Sequence, residues 1–287
     1  MMKNYKIETL DMFPFKNTDL KASFYRPKEN NIQTTLLYFH GGGLIFGDRD
    51  DLPTQYIELF AANGIALLAV DYPLAPETKM PAILDIAFKI TDWFVQDFLK
   101  TIDFSNYFIM GRSAGGFLAM SSALHAQKTH YAPKGVISLY GYYNLNDAIF
   151  TVPNRYYLKY PKVNDAVLAS LIKPGQVVTK GAQDRFLVYL ASRQKGDWMD
   201  LLLSSPKQKR ELSIPRDDIE KLPALFLAAA NNDPDVPSRQ SRQLSNFHPK
   251  ASLTLYELEE HDFDRTDPET FGLPTYQKMV RWIQNIL

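Results

Sequence analysis

The most informative feature of this sequence is what it lacks. Its 287 residues include no cysteine, which excludes disulfides, thiolate metal sites, iron–sulfur clusters and cysteine nucleophiles. Neither sign of charge is in excess, because 32 Lys and Arg residues balance 32 Asp and Glu residues. No net field therefore favours nucleic acid or an anionic membrane surface, and the balance fits a neutral ligand. Histidine is scarce, with five residues, so a histidine base can be sought by elimination.

Long apolar runs are also lacking. The stretches from Gly64 to Val70 and from Pro223 to Ala230 are among the longest, far short of the ~18–20 residues of a membrane-spanning helix. Met1 to Lys6 lead into a mixed polar stretch, which is not typical of a secretion signal. We therefore expect a cytoplasmic protein that does not enter a membrane. The length suits a single domain over residues 1–287.

Short, almost continuously apolar segments alternate with segments of helical period. The predicted buried strands are Thr34 to Phe39, Gly64 to Val70, Tyr107 to Met110, Gly135 to Tyr140, Pro223 to Ala230 and Leu253 to Leu258. The predicted helices are Pro53 to Asn63, Pro81 to Leu99, Gly116 to Gln127, Ser238 to Phe247 and Glu269 to Ile286. This order predicts an α/β fold with a mostly parallel central sheet and helices on both faces.

Two regions depart from the alternation. At the start of the chain, Tyr5 to Leu10 and Leu20 to Arg26 alternate apolar and polar residues, which predicts an antiparallel pair of strands. Later, residues 142–222 separate two core strands by far more than a usual loop. Within them Asp165 to Ile172 and Ala182 to Ala191 have helical spacing. We interpret residues 142–222 as a helical cap inserted into the domain.

A glycine-flanked serine follows one of the predicted strands. The segment Gly111-Arg112-Ser113-Ala114-Gly115 comes directly after Tyr107 to Met110 and before the predicted helix at Gly116. In such a turn the flanking positions have no room for side chains, and the serine hydroxyl is exposed at a helix N-terminus. Ser113 is therefore a candidate nucleophile. The alternative is a serine that merely caps the helix.

Three consecutive glycines follow an earlier strand. His40-Gly41-Gly42-Gly43 comes after Thr34 to Phe39, at the end of the sheet where open α/β folds bind ligands. Without Cβ atoms, backbone N–H groups can turn toward a ligand and, with the N–H of Ala114, stabilise an oxyanion. The alternatives are a flexible turn or a phosphate loop, although no Gly-Lys-Ser/Thr follows. We interpret His40 as organising this loop rather than as a base.

A serine nucleophile needs a base at neutral pH. After a nucleophile turn of this kind the acid follows the serine in the chain, and the base follows the acid. His125 and His130 therefore come too early and are expected on a helix surface or at a helix end. His248 precedes the strand Leu253 to Leu258 and lies at the opposite end of the sheet, whereas His261 follows that strand. His261 is the predicted base.

The acid is expected in the loop after the strand from Pro223 to Ala230. Asp233 and Asp235 both lie there, and either carboxylate could orient the imidazole of His261 and stabilise its protonated form. We favour Asp233 because it follows the strand sooner. Asp235 is then left for hydrogen bonds within the loop or for charge at the N-terminus of the helix near Ser238.

These motifs resemble, in type and order, those of α/β-hydrolase fold esterases related to hormone-sensitive lipase. The similar segments are His40-Gly41-Gly42-Gly43, Asp71-Tyr72-Pro73-Leu74-Ala75-Pro76-Glu77, Gly111-Arg112-Ser113-Ala114-Gly115-Gly116, Asp233-Pro234 and His261-Asp262-Phe263. The resemblance runs from His40 to Leu287 and is weakest in the insertion. Three positions differ from the family's usual residues: Arg112 replaces Asp, Pro73 replaces Arg, and Asp262 replaces a small residue.

The resemblance implies a serine carboxylesterase that acts on a small-molecule ester and needs no metal or cofactor. It implies a triad of Ser113, Asp233 and His261, and an oxyanion hole formed by the N–H groups of Gly42, Gly43 and Ala114. It also suggests a homodimer. Because a triad is indifferent to the leaving group, an amidase, peptidase or lactonase is the alternative on the same fold, and a non-catalytic ligand-binding protein is the alternative of another class.

The sequence leaves two questions about the pocket open. Arg112 is expected to form a structural ion pair, with a substrate-carboxylate anchor as the alternative. The aromatic residues near and within the insertion either line a pocket over Ser113 or pack the insertion onto the core. These residues are Tyr140, Tyr142, Tyr143, Phe150, Tyr156, Tyr157, Tyr160 and Trp198.

Overall fold

One eight-stranded sheet forms the centre of the protein, in a computed structural model that describes residues 3–28, 32–102, 106–129 and 131–287. The strands are β1 (Tyr5–Phe15), β2 (Thr18–Pro27), β3 (Thr34–Phe39), β4 (Ile65–Val70), β5 (Tyr107–Arg112), β6 (Gly135–Leu139), β7 (Ala224–Ala230) and β8 (Ala251–Tyr256). Their spatial order is β1-β2-β4-β3-β5-β6-β7-β8. The β1–β2 and β2–β4 pairs are antiparallel, and the other pairs are parallel.

Helices occupy the connections between these strands. The α-helices are α1 (Thr54–Ala62), α2 (Met80–Trp93), α3 (Leu99–Thr101), α4 (Ala114–Lys128), α5 (Asp165–Leu171), α6 (Gln183–Lys195), α7 (Trp198–Leu202), α8 (Gln208–Leu212), α9 (Arg216–Ile219), α10 (Arg239–Phe247), α11 (Phe263–Thr266) and α12 (Leu273–Ile286). Helices α5 to α9 all lie between β6 and β7, within residues 142–222. None of the helices in the described part of the chain is long and apolar enough to cross a membrane.

The core has two layers, one on each face of the sheet. Apolar residues of α2, α4 and α10 pack on one face, together with residues of the insertion. Residues of α1 and α12 pack on the other. Every residue of β3, β4, β5 and β6 is buried, as strands covered on both faces require. The predicted α/β architecture, with a mostly parallel sheet and an antiparallel pair at its start, is confirmed.

The bounds of some elements differ from the predicted ones. Strand β8 begins and ends two residues before the predicted strand. It ends at Tyr256, where the Leu258 N–H donates to the Tyr256 carbonyl at 2.9 Å and turns the chain. The predicted helix over Pro81 to Leu99 is α2 followed by a π-helical turn, Phe94–Phe98. The rings of Phe94 and Phe98, four residues apart, stack there with centroids 5.7 Å apart.

Candidate active site

Ser113 occupies a sharp turn between β5 and α4. Its backbone is left-handed, with φ 51° and ψ −119°, a conformation that a non-glycine residue rarely adopts. A Cβ atom on Gly111 would lie 2.0 Å from the Gly115 carbonyl oxygen, and one on Gly115 would lie 2.1 Å from the Phe39 carbonyl oxygen. Glycine is therefore required on both sides of the serine. The Ser113 side chain makes no capping hydrogen bond to α4, so its hydroxyl is available for other partners.

The hydroxyl of Ser113 contacts His261, and His261 contacts Asp233. The distance from Ser113 Oγ to His261 Nε2 is 2.9 Å, and that from His261 Nδ1 to Asp233 Oδ2 is 2.7 Å. The other carboxylate oxygen of Asp233 accepts hydrogen bonds from the N–H groups of Asp235 and Val236, at 2.8 and 2.9 Å. With Nδ1 donating to the carboxylate, a neutral imidazole has Nε2 free to accept the serine proton.

The carboxylates around His261 favour its charged form. Burial by itself lowers the pKa of the imidazole, but the charge and hydrogen bond of Asp233 oppose it, and Asp235 and Asp262 add to their effect. Together they raise the pKa of His261 from 6.5 to about 10. Burial also raises the pKa of the Asp233 carboxyl, an effect that the neighbouring His261 opposes. The site thus stabilises an imidazolium, the species formed when a base takes a proton.

The loop after β3 leaves two backbone N–H groups facing away from the partners of its carbonyl groups. The Gly41 carbonyl accepts from His40 Nδ1 at 2.8 Å, and the Gly42 carbonyl accepts from the N–H groups of Ile45 and Phe46 at 2.9 and 3.0 Å. In a trans peptide the C=O and N–H groups point in opposite directions. The N–H groups of Gly42 and Gly43, which share those two peptides, therefore point away from these partners. His40 organises the loop, as its position in the sequence suggests.

A cavity of about 240 Å³ lies between this loop, Ser113 and His261. Helix α4 begins at Ala114, and the first N–H groups of a helix have no partner within it. Of the three residues predicted to form an oxyanion hole, Gly42 and Gly43 line the cavity together with Ser113, and Ala114 directly follows Ser113 in the chain.

The insertion supplies much of the cavity wall. Of the aromatic residues singled out in the sequence, Tyr156, Tyr157 and Tyr160 line the cavity. The others are not among its lining residues and are buried, and these are Tyr140, Tyr142, Tyr143, Phe150 and Trp198. Three further aromatic residues that the sequence did not indicate also line the cavity: Phe46, Phe186 and Tyr189.

Arg112 forms two ion pairs beneath the nucleophile turn. Its Nη2 lies 2.7 Å from Asp51 Oδ2, and its Nη1 lies 3.1 Å from Asp264 Oδ2. Asp264 is fully buried and also accepts hydrogen bonds from Tyr140 at 2.7 Å and Tyr276 at 3.0 Å. Arg112 is thus a structural ion-pair residue whose guanidinium is already engaged, although it also borders the cavity. These contacts hold Arg112, the residue directly before Ser113, in place.

Helix α6 contacts two of the loops around the cavity, the one after β3 and the one after β7. Its residues Arg185, Tyr189 and Arg193, spaced four apart, share one face. Arg185 donates to the Ile45 carbonyl at 2.7 Å, and the hydroxyl of Tyr189 donates to the carboxylate of Asp235 at 2.7 and 2.8 Å. Sequence reasoning missed these roles. The four-residue spacing was visible, but the predicted helix ended at Ala191, before Arg193.

The remaining histidines lie away from the cavity. His125 contacts Asp92 at 2.9 Å and stacks on Phe88. His248 Nε2 lies 2.8 Å from the Leu222 carbonyl oxygen, before β8 and at the opposite end of the sheet from Ser113. His130 lies outside the described residues. Among the described histidines, His40 and His261 alone lie beside Ser113, and the Nε2 of His261 contacts its hydroxyl.

A family model described as alpha/beta hydrolase fold matches residues 36–265, which include the predicted triad and the three residues predicted to form the oxyanion hole. Among curated proteins, an acetyl esterase of Salmonella paratyphi B is 30% identical over 135 residues. That match covers 46% of this chain and 42% of the relative, so it spans less than half the length of either protein.

Solved structures match over almost the whole chain. A Staphylococcus aureus protein of unknown function is 27% identical, with a TM-score of 0.85 over 97% of this chain and 99% of that one. An alpha/beta hydrolase superfamily protein of Enterococcus faecalis is 23% identical, with a TM-score of 0.86 over 98% and 99%. A thermophilic carboxylesterase from a metagenomic library is 22% identical, with a TM-score of 0.70 over 99% and 90%. The last two likenesses concern the fold alone.

Proposed function

The chain belongs to the family of the alpha/beta hydrolase fold, and from that premise we propose that it is a serine carboxylesterase that hydrolyses small, short-chain acyl esters. One observation carries the proposal: Asp233, His261 and Ser113 form a continuous series of contacts, of 2.7 and 2.9 Å. A serine hydroxyl needs such a hydrogen-bonded base, and the base needs a third group to orient it. The name of the Salmonella relative, an acetyl esterase, supports the same activity.

In the first half of the proposed reaction, Ser113 becomes acylated. Its Oγ attacks the ester carbonyl carbon while its proton passes to Nε2 of His261. Asp233 holds Nδ1 and stabilises the imidazolium. The carbonyl oxygen becomes an oxyanion that accepts from the N–H groups of Gly42, Gly43 and Ala114. The imidazolium then returns the proton to the leaving alcohol as the carbon–oxygen bond breaks.

In the second half, water releases the acid. His261 takes a proton from the water, whose oxygen attacks the acyl carbon of the Ser113 ester in the same oxyanion site. Collapse of this second intermediate frees the carboxylic acid and returns the proton to Ser113 Oγ. The same groups thus act in both halves: His261, Asp233 and the three N–H groups of the proposed oxyanion hole. None of the proposed steps requires a cofactor or a metal.

The size of the cavity supports a small substrate. It measures about 240 Å³, and Tyr157, Phe186 and Tyr189 close it on the side of the insertion. Tyr157 and Tyr189 are themselves buried, with 7% and 3% of their surface exposed, and form part of this wall. A compact acyl group fits this space better than an extended one.

The direct test is hydrolysis of p-nitrophenyl acetate by the Ser113→Ala variant. We expect loss of nearly all activity, by roughly 10⁴-fold or more, because the nucleophile is removed. Ser121→Ala is the matched control: this serine lies in α4, the helix that follows Ser113, and lines a groove away from the cavity. Wild-type activity in Ser113→Ala would refute the proposal. Comparing kcat/KM for an ester and its matching anilide separates esterase from amidase action.

A further inference from the structure

A second carboxylate faces His261 on the side of the nucleophile. Oδ2 of Asp235 lies 3.9 Å from Nε2 of His261, the same nitrogen that contacts Ser113 at 2.9 Å. Asp235 is only 3% exposed, so little water screens its charge. At 3.9 Å the carboxylate is beyond hydrogen-bond distance and acts on the imidazole through its charge.

Helix α6 fixes the position of that carboxylate. The hydroxyl of Tyr189 donates to both oxygens of Asp235, at 2.8 and 2.7 Å, and Nη2 of Arg193 lies 3.0 Å from Oδ1. The same Nη2 donates to the Asp235 carbonyl at 3.0 Å. From below, the Asp235 N–H donates to Oδ1 of Asp233 at 2.8 Å. The Asp233 carboxylate therefore accepts a hydrogen bond from the backbone of the residue that carries the second carboxylate.

The cation that compensates Asp235 is itself buried and surrounded by rings. Arg193 is 1% exposed, and its guanidinium lies 5.0 Å from the ring centroid of Trp198 and 5.7 Å from that of Phe150. Burying such a pair removes two ions from water at a cost that the attraction often does not recover. Arg193 contacts Oδ1, which leaves Oδ2 as the oxygen nearest to His261.

We infer that Asp235, held by Tyr189 and Arg193, is a positioning residue for His261 that stabilises the imidazolium formed when Ser113 loses its proton. The inference rests on the proposed function. In that step the proton moves from Ser113 Oγ to His261 Nε2, the electron pair stays on Oγ for attack on the carbonyl carbon, and the new N–H lies between Ser113 and Asp235. Asp233 supports the imidazolium at Nδ1 and Asp235 at Nε2.

Other groups also face His261 and set the background against which Asp235 acts. The edge of the Tyr140 ring packs against the imidazole at 4.8 Å between centroids. Glu260 and Asp262 are its neighbours in the chain, and Asp262 is one of the carboxylates that favour its charge. Arg193 opposes them as the partner of Asp235. Removing one charge among these should therefore shift the titration of His261 without abolishing it.

The test is Asp235→Asn in the full-length protein, which keeps the size of the side chain and its contact with Tyr189 but removes the charge. The pH dependence of kcat/KM for p-nitrophenyl acetate is measured beside the ¹⁵N NMR titration of histidine side chains, with the His261 signal identified by its loss in His261→Gln. We expect the acid limb of activity and the His261 midpoint to move together by about one pH unit toward acid. If both stay in place, the inference is wrong.

Two further variants separate this role from a merely structural one. Glu259→Gln also removes one negative charge, but from an exposed residue in the loop that carries His261. It should leave both midpoints where they are. Tyr189→Phe keeps the ring but removes the hydroxyl that shares the charge of Asp235, so both midpoints should move toward alkali. This variant also decides the case if Asp235→Asn fails to fold, because unchanged midpoints in it would overturn the inference.

The NMR titration of His261 distinguishes a failure of this inference from a failure of the proposed function. A wild-type protein that hydrolyses no ester would refute the esterase proposal, yet the His261 midpoint would still respond to the charge of Asp235. An active wild type in which Asp235→Asn leaves both midpoints unchanged would refute the role of Asp235 alone.

Discussion

Replacing Gly42 by alanine should remove activity through a local change in the loop after β3. Gly42 has φ +97°, and a Cβ atom there would lie 2.0 Å from the Phe46 carbonyl oxygen. Real Cβ contacts are essentially never under 3.0 Å, so backbone must move by about 1 Å, enough to cost roughly 100-fold when it misplaces a reacting group. Losing one oxyanion donor costs about 10²–10³-fold in kcat. We therefore expect kcat of the Gly42→Ala variant to fall by about 10²–10³-fold.

The matched control is Gly175→Ala. Gly175 is also left-handed, with φ +80°, but a Cβ atom there would have nothing within 4 Å. Both variants carry the cost of a side chain in a left-handed conformation, about 1–2 kcal/mol, and Gly175→Ala carries nothing else. Urea unfolding should show this loss in Gly175→Ala with kcat unchanged.

Steady-state kinetics with p-nitrophenyl acetate test whether the Gly42 N–H stabilises the oxyanion. We expect kcat to fall for Gly42→Ala with a much smaller change in KM, because the oxyanion forms only in the transition state. A Gly42→Ala variant with wild-type kcat would show that the Gly42 N–H does not face the reacting carbonyl, and a Gly175→Ala variant as inactive as Gly42→Ala would show that loop strain alone accounts for the loss.

Three other measurements test separate parts of the account. Because a base must be neutral to accept the serine proton and the pKa of His261 is raised from 6.5 to about 10, kcat/KM should keep rising with pH well above 7; a plateau from pH 6.5 upward would contradict this. In a urea titration, Arg112→Met should lower the free energy of unfolding by about 3–5 kcal/mol, because it removes the cation that pairs with the buried Asp264. The control Arg216→Met breaks an exposed pair with Glu220 and should lower it by about 1 kcal/mol or less. In a series of p-nitrophenyl esters from acetyl to decanoyl, kcat/KM should fall steeply beyond butyryl, and an undiminished decanoyl rate would mean that Tyr157 and Tyr189 do not close the cavity.

The parts of the site that depend on local backbone geometry could be predicted from the sequence. The glycines around Ser113 and the glycines after β3 mark turns that few other residues can form, and the order of strands leaves His261 as the histidine after β8. Each of these signals lies within a few residues of the chain. The same local character explains why the fold class was predictable: buried parallel strands and amphipathic helices have distinct periods.

The parts that depend on distant contacts could not be predicted. Whether an aromatic residue such as Tyr142 packs the core or lines the cavity depends on how the insertion lies over the sheet, and no period in the sequence records that. Asp235 was expected to serve its own loop or the adjacent helix, whereas its carboxylate contacts Tyr189 and Arg193, more than forty residues earlier in the chain. The π-helical turn after α2 was not predicted either, because an apolar period does not distinguish such a turn from the helix around it.

The central claim, that Ser113 is a nucleophile activated by His261, is tested most directly by covalent labelling. The wild-type protein is treated with a fluorophosphonate, and the modified residue is located by mass spectrometry of its peptides. We expect a single phosphonylated residue, Ser113, and strongly slowed labelling in His261→Gln. A wild-type protein that stays unmodified, or that carries the label elsewhere, would contradict it.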